Sequence, residues 1–341
     1  MPKKDTSPQR VDIGGQAVLE GVMMKAPDSI AIAVRKPDGS ICVKCDPYVS
    51  PAKKHKWMGW PVVRGAVNMV NMLVMGMNTL EASSRMLGVE EDEPTKFEKW
   101  LSKTFGKSID KIVMGVAIVL AVFLSVGLFM VIPSIFATLI NKVVKSLLVV
   151  NLCSGVVRIL ILIGYIWGCG KIPDMRRTFE YHGAEHKTVY CHEAGLELTP
   201  ENAKQFSTLH PRCGTSFLLI TMIIAILAGA VVDQLLHAIF GVERLTFLAR
   251  LARSVLLLPL IAGVSYETLK GLAHSDNKLV RALRWPGLML QHLTTREPDE
   301  KQLEVAIASM KAALAGKKMP ETILGKDGAA EENAEDAPET N

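Results

Sequence analysis

Four stretches of the chain stay apolar for the length of a membrane crossing, and polar segments separate them. Residues 112–132, IVMGVAIVLAVFLSVGLFMVI, carry no charge and are followed by Pro133. They reach the roughly 20 residues that an α-helix needs to cross the hydrocarbon of a bilayer. A second run covers 146–168 and contains Asn151 and Arg158, which should face protein or water rather than lipid. The third, 216–232, is uncharged. The fourth, 254–272, is shorter, carries Pro259 and holds Glu267 near its end. The pattern predicts an integral membrane α-helical protein with about four transmembrane helices in two hairpins.

Other patterns lie on either side. IAIAVRKPDGSICVK alternates around Asp38-Gly39, which predicts a β-hairpin pairing 30–35 with 40–45. Trp57 to Leu87 is apolar and methionine-rich but is broken by Arg64, Asn68 and Asn71. An amphipathic helix on the bilayer surface, or against the bundle, fits it better than a span. VEEDEPTK then makes an acidic break. Near the other end a helix is expected to begin around Pro298, with Thr295 or Glu297 helping to cap it and Leu303, Ile307 and Met310 on one face. After Lys318 the composition turns to Ala, Glu, Asn and Pro, which predicts disorder. The organisation expected is therefore an N-terminal cytoplasmic portion (1–100), a transmembrane bundle (111–272) that includes a histidine-rich cytoplasmic loop (169–215), a cytoplasmic helical segment (273–318) and a disordered tail (319–341).

Composition and charge add orientation. Of 341 residues, 49% are hydrophobic, the level of a mixed protein rather than one that is all membrane. The net charge of +5 comes without a long basic tract, so no nucleic-acid partner is expected. No apolar stretch follows the first charges, so the N-terminus is expected to stay in the cytoplasm. The segment 133–145 carries only Lys142 and Lys145, whereas 169–215 carries Lys171, Arg176, Arg177, Lys187, Lys204 and Arg212. The positive-inside rule then places both termini and the 169–215 loop on the cytoplasmic side of the inner membrane. Arg244, Arg250 and Arg253, assigned to the last outer loop, weigh against that orientation. The six cysteines form no disulfide framework, and Cys42 and Cys45 fall in an alternating segment that reads as a strand rather than a redox turn.

Candidate chemistry is concentrated in 169–215, which holds His182, His186, His192 and His210. On a helix, His182 and His186 share one face a turn apart, and two neutral imidazoles so placed can reach one zinc-sized ion. Glu185 would lie beside them as a base, and HGAEH fits the H-x-x-E-H arrangement. A third ligand is needed. The candidates are Glu267 at a span's cytoplasmic end, His210 with Cys213 in HPRCG, or His192 with Glu193. The bland alternative is a wet juxtamembrane loop whose histidines bind backbone or headgroups. Arg158 calls for a partner in the bundle, Asp233 or Glu267. GGQAVLEG is not a dinucleotide fingerprint, because its spacing differs and no parallel βαβ pattern surrounds it. Gly14, Gly15 and Gly21 with Glu20 instead suggest a tight backbone site.

Five separated segments occur in a fixed order: GGQAVLEGVMMK (14–25), YHGAEHKTVYCHE (181–193), LTPEN (198–202), HPRCGTSFL (210–218) and TTREPDEKQLEVAI (294–307). Together they resemble the YqhQ family of bacterial membrane proteins, over residues 11 to 314. The resemblance implies an integral membrane protein. Because the family is labelled as predicted metal-dependent enzymes, it also implies a metal-site role for His182, Glu185 and His186. It supplies no substrate. In the expected topology GGQAVLEGVMM, the histidine loop, HPRCG and the TTREP segment all fall on the cytoplasmic side, where they would assemble into one site.

Three functions compete. The first is a metal-dependent membrane enzyme, a hydrolase, with Glu185 catalytic and a divalent ion, zinc first, held by His182 and His186. The second is a noncatalytic scaffold with a structural metal site. The third is a transporter, disfavoured because the spans show no inverted repeat. The expected partners are the lipid bilayer and a cytoplasmic substrate or protein, and homo-oligomers are compatible with all three.

Overall fold

Alternation of inward and outward residues extends well beyond the expected hairpin and builds a five-stranded sheet. The computed structural model describes residues 13–88, 109–144, 146–241, 245–273 and 277–324. Strands β1 (Gly14–Val18), β2 (Gly21–Lys25), β3 (Ser29–Arg35), β4 (Ile41–Pro47) and β5 (Met319–Leu324) lie side by side in that order, every pair antiparallel. The predicted hairpin is β3 with β4. It turns where Asp38 Oδ1 accepts from the Ser40 amide at 2.8 Å.

Two expectations change. The Gly14–Lys25 segment is a second hairpin, with Glu20 at φ +47° in its turn. The tail expected to be disordered from residue 319 opens with β5, which pairs along β4. Its β-branched Thr322 and Ile323 suit the open sheet edge, and pairing there, with an irregularity between Val43 and Cys45, supplies the hydrogen bonds that β4 would otherwise lack. Residues 325–341 lie outside the described residues.

The helices, in chain order, are α1 (Pro51–Lys54), α2 (Val63–Leu87), α3 (Ile109–Val126), α4 (Ile132–Ile140), α5 (Leu147–Cys169), α6 (Pro173–Glu193), α7 (Pro200–Lys204), α8 (Gly214–Phe240), α9 (Phe247–Ala273), α10 (Lys278–Thr294) and α11 (Glu300–Ala315). Contacts divide the chain into two units. The described residues of Met1–Gly88, Trp167–Ile220 and Ala262–Asn341 form one, and those of Val89–Ile166 and Thr221–Ile261 form the other.

In the first unit both faces of the sheet are covered. Val22, Met24, Ala31, Ala33, Val43 and Cys45 point to one face, where they pack with Leu303, Ala306 and Met310 of α11 and Tyr181 and Ala184 of α6. Val18, Met23, Ile32, Val34 and Cys42 point to the other, against Met86, Leu87, Met75 and Ala82 of α2. Cys42 and Cys45 therefore sit on opposite faces, which excludes a joint redox or metal role for this CxxC. The small residues of α11 let it lie close to the strands: Ser29 Oγ donates to the Ala313 carbonyl at 2.6 Å and Ser309 Oγ to that of Ala31 at 3.1 Å. Helix α11 starts two residues later than Pro298. Asp299 is its N-cap in a capping box with Gln302, in place of Thr295 or Glu297. Much of the expected 169–215 loop is likewise helical, as α6.

In the second unit the sequence is apolar almost throughout. Among the described residues four helices are long and apolar enough to cross a membrane: Gly115–Ile140, Leu147–Cys169, Gly214–Phe240 and Phe247–Leu272. The first runs past Pro133 because a π-helical turn at Gly127–Val131 precedes it, and the proline takes a first-turn position of α4, where no intrahelical amide bond is lost. The last begins at Phe247 rather than 254. Arg250 and Arg253 are thus helical residues and not loop charges, while Arg244 lies outside the described residues.

Candidate metal centre

Helix α6 runs against β1 and is clamped at two points. Near its start, Arg177 forms a two-pronged ion pair with Glu20, and the Tyr181 hydroxyl lies 3.3 Å from the same carboxylate. Burial, reinforced by Glu20, pushes the Tyr181 phenol up, so it stays a donor. Two turns further on, Glu185 presses against the backbone of Gly15. A Cβ at residue 15 would lie 2.6 Å from Glu185 Cγ and 2.7 Å from the Met23 carbonyl, so only glycine fits. Gly183 serves the opposite side: a Cβ there would meet the Arg296 carbonyl at 2.0 Å, and the Arg296 amide donates to the Phe179 carbonyl at 2.9 Å. The TTREP segment is thereby laid directly on α6.

This packing fixes the two imidazoles. His182 Nδ1 lies 2.8 Å from the Thr294 carbonyl, and His186 Nδ1 lies 2.5 Å from that of Thr208. A carbonyl only accepts, so each Nδ1 carries the proton and each Nε2 offers a lone pair. His182 Nε2 lies 3.2 Å from Cys213 Sγ. His186 Nε2 is buried with no hydrogen-bond partner. One donor atom each from His182, His186 and Cys213 falls within 4.8 Å of the others. Cys213 ends the turn before α8, where its sulfur also accepts from the Thr215 amide at 3.4 Å.

The surroundings are dry and specifically paired. Burial pushes the Glu185 carboxyl up, while His182, His210 and a hydrogen bond from the Gly15 amide pull the other way. Glu185 Oε2 stands 3.5 Å from His186 Nε2. Burial lowers His186 and His210, favouring neutral rings. The ring of His210 lies 5.6 Å from that of His186. Its Nδ1 accepts from the Arg212 amide at 3.3 Å, and its Nε2 approaches Glu193 Oε1 at 3.4 Å without a hydrogen bond. Gln291, fully buried on α10, clamps the His210 backbone with two bonds of 2.8 Å.

Of the residues singled out in the sequence, His182, Glu185, His186 and Cys213 come together, and His210 packs behind His186. Glu267 does not join them. Its carboxylate is held by Arg64, with Nε at 2.7 Å and Nη2 at 2.5 Å. Nor does His192 with Glu193 belong to the converging group, and Glu193 pairs with Arg212. Sequence reasoning missed Gln291 and the carbonyls of Thr208 and Thr294. A polar residue on the apolar side of an amphipathic helix was the available signal for Gln291; backbone carbonyls leave none.

The donor set suits a borderline-soft divalent ion. Two imidazoles and one thiolate are zinc ligands, and ligating histidines usually bond a carbonyl or carboxylate through the other ring nitrogen, as both do here. The orphaned His186 Nε2 is the vacancy in hydrogen bonding that an ion would fill.

Fold and site define a class: a mainly helical protein with four membrane-length apolar helices and an antiparallel-sheet unit that carries a His–His–Cys cluster. The chain belongs to the family described as "Protein of unknown function (DUF1385)", which matches residues 60–316. It is also 32% identical over 311 residues to "Uncharacterized protein YqhQ" of Bacillus subtilis (strain 168), covering 88% of this chain and 92% of that one. The resemblance of its five motifs to that family is therefore real kinship. No solved structure matches the chain.

Proposed function

We propose that the chain is a membrane-embedded, metal-dependent enzyme of the hydrolase type. His182, His186 and Cys213 would hold a divalent ion, zinc by the softness of the donors, with Glu185 as the base. One observation carries this reading: both imidazoles are locked by backbone carbonyls in the tautomer that turns Nε2 toward one thiol. A bound ion would supply Lewis acidity to a carbonyl or phosphoryl oxygen. Glu185, wedged against Gly15 beside His186, takes the proton of an attacking water on its carboxylate and returns it to the leaving group. Three protein donors leave a tetrahedral ion one open position, the mark of a catalytic rather than a structural site. A second reading, a noncatalytic scaffold with a structural ion, would need a fourth protein donor; His210 packs against His186, but its Nδ1 accepts from the Arg212 amide, so its Nε2 carries the proton.

We also read the four apolar helices as two hairpins, with both termini and the metal centre at the cytoplasmic face of the inner membrane. The segments before the first helix, between the second and third, and after the fourth all contribute to one folded unit, so they share a side. The positive charge of 169–215 supports the cytoplasm as that side. The described tryptophans, Trp57, Trp60, Trp167 and Trp285, are each more than half exposed, as in an interfacial aromatic belt, and Leu73, Val74 and Met77 of α2 offer lipid an apolar face.

Metal analysis of the detergent-purified chain tests the proposal. Wild type should carry close to one zinc per chain. The His182→Ala, His186→Ala double variant and Cys213→Ser should lose it. Glu185→Gln should keep it yet fail to replace wild type in cells. Metal-free wild type, or metal unchanged in the double variant, would sink the metal site; a fully functional Glu185→Gln would leave only the scaffold.

A further inference from the structure

One charged side chain beside the metal centre takes no part in holding the ion, yet it is sealed inside the protein. Lys187 follows His186 on α6, and its side chain is 4% exposed. Burying an ammonium costs free energy unless it is paired and hydrogen-bonded. An apolar side chain of similar length would fill the same space without that cost. The groups that the ammonium joins are therefore the reason for a lysine here.

There are two of them. Nζ donates to the Lys204 carbonyl at 2.9 Å and pairs with Glu297 Oε1 at 2.6 Å. Lys204 ends α7, where the last carbonyls lack intrahelical partners and a lysine can cap them. Glu297 belongs to the TTREP segment. Each partner lies close in sequence to one of the carbonyls that orient the imidazoles. Lys204 comes four residues before Thr208, whose carbonyl meets His186 Nδ1. Glu297 comes three residues after Thr294, whose carbonyl meets His182 Nδ1. On the far side of Thr208 the Tyr190 hydroxyl donates to the Leu209 carbonyl at 3.0 Å, so that carbonyl sits between two ties to α6. One ammonium thus draws two segments, distant from each other along the chain, against the helix that carries both imidazoles.

We propose that Lys187 is a positioning residue of the metal centre. By holding the 204–208 and 294–297 segments on α6, it keeps both carbonyls against the Nδ1 atoms and so presents both Nε2 lone pairs to the ion. An ammonium has three donors and can serve two acceptors that approach from different directions. The inference rests on the metal-centre reading and deepens it. Removing the lysine strands no buried charge, because the Glu297 side chain is 68% exposed and can return to water.

The full chain purified in detergent tests it, as wild type, Lys187→Met, Lys187→Arg and Glu297→Gln. Chelator competition gives the zinc affinity, and cobalt(II) in place of zinc gives an absorption spectrum. Long-range nitrogen–proton NMR of the histidine-labelled, metal-free chain reads the ring tautomers, and its melting midpoint controls for folding. Lys187→Met should weaken zinc about 10- to 100-fold, the usual effect of losing an outer partner of a metal ligand. It should also mix the tautomers of both rings and shift the cobalt d–d bands, while the band from the Cys213 thiolate persists. Lys187→Arg should restore part of each. Glu297→Gln should disturb the ring of His182 and spare that of His186. A lysine with a merely structural role would lower the midpoint and leave tautomers and cobalt spectrum as in wild type, and that result overturns the proposal. Should Lys187→Met not fold, unchanged zinc affinity and tautomers in Glu297→Gln overturn it equally. Wild type that binds no zinc defeats the metal-centre reading and this inference together, whereas zinc held equally by wild type and Lys187→Met defeats this inference alone.

Discussion

Gly15 shows how a residue without chemistry of its own governs one that has it. Its missing side chain lets the Glu185 carboxylate reach a backbone amide while the strand passes beside α6. Gly15→Ala should push the hairpin off α6 at a cost of about 1–3 kcal/mol, the usual range for overpacking. Zinc content should fall with it, read by metal analysis and the melting midpoint together; unchanged values in both would show that the contact is slack. At this scale the sequence disclosed the imidazole pair, because i and i+4 spacing is a local property of a helix. It did not disclose Cys213 over Glu267 as the neighbour, since that choice is made by the turn before α8 and by Arg64, each distant along the chain. The tautomers were equally hidden, because the carbonyls of Thr208 and Thr294 have no residue-type signature.

Among the elements, α11 carries an outsized share of the architecture. It packs on the sheet, on α6 and on α7, and fully buries Leu303 and Met310. Its first turn depends on Asp299, whose carboxylate accepts from the Gln302 amide at 2.7 Å while Gln302 Oε1 accepts from the Asp299 amide at 2.9 Å. Asp299→Ala should cost about 1 kcal/mol, seen as a lower melting midpoint with metal content retained. No change in midpoint would mean that packing alone fixes the helix start. The long apolar helices and the β3–β4 hairpin were legible because each follows a short repeat with clear ends. The π turn before Pro133 and strand β5 were not. The first is a local answer to a proline in a helix, and the second exists only because β4 has an open edge far away in sequence.

For the whole molecule, the proposed topology has a direct reading. A fluorescent protein fused after Asn341 should fold and fluoresce, and alkaline phosphatase fused after Gly241 should be active, placing the two points on opposite sides of the membrane. Phosphatase activity at the C-terminus would refute it, because β5 and β4 belong to one sheet and must share a compartment. The pairing of β5 with β4 also sets an order of events during synthesis. The final strand leaves the ribosome only after every apolar segment has been handed to the insertion machinery. A truncated product that stops before Met319 would carry all the cluster's side chains on a sheet whose β4 edge is bare, which separates possession of the ligands from possession of the scaffold that holds them.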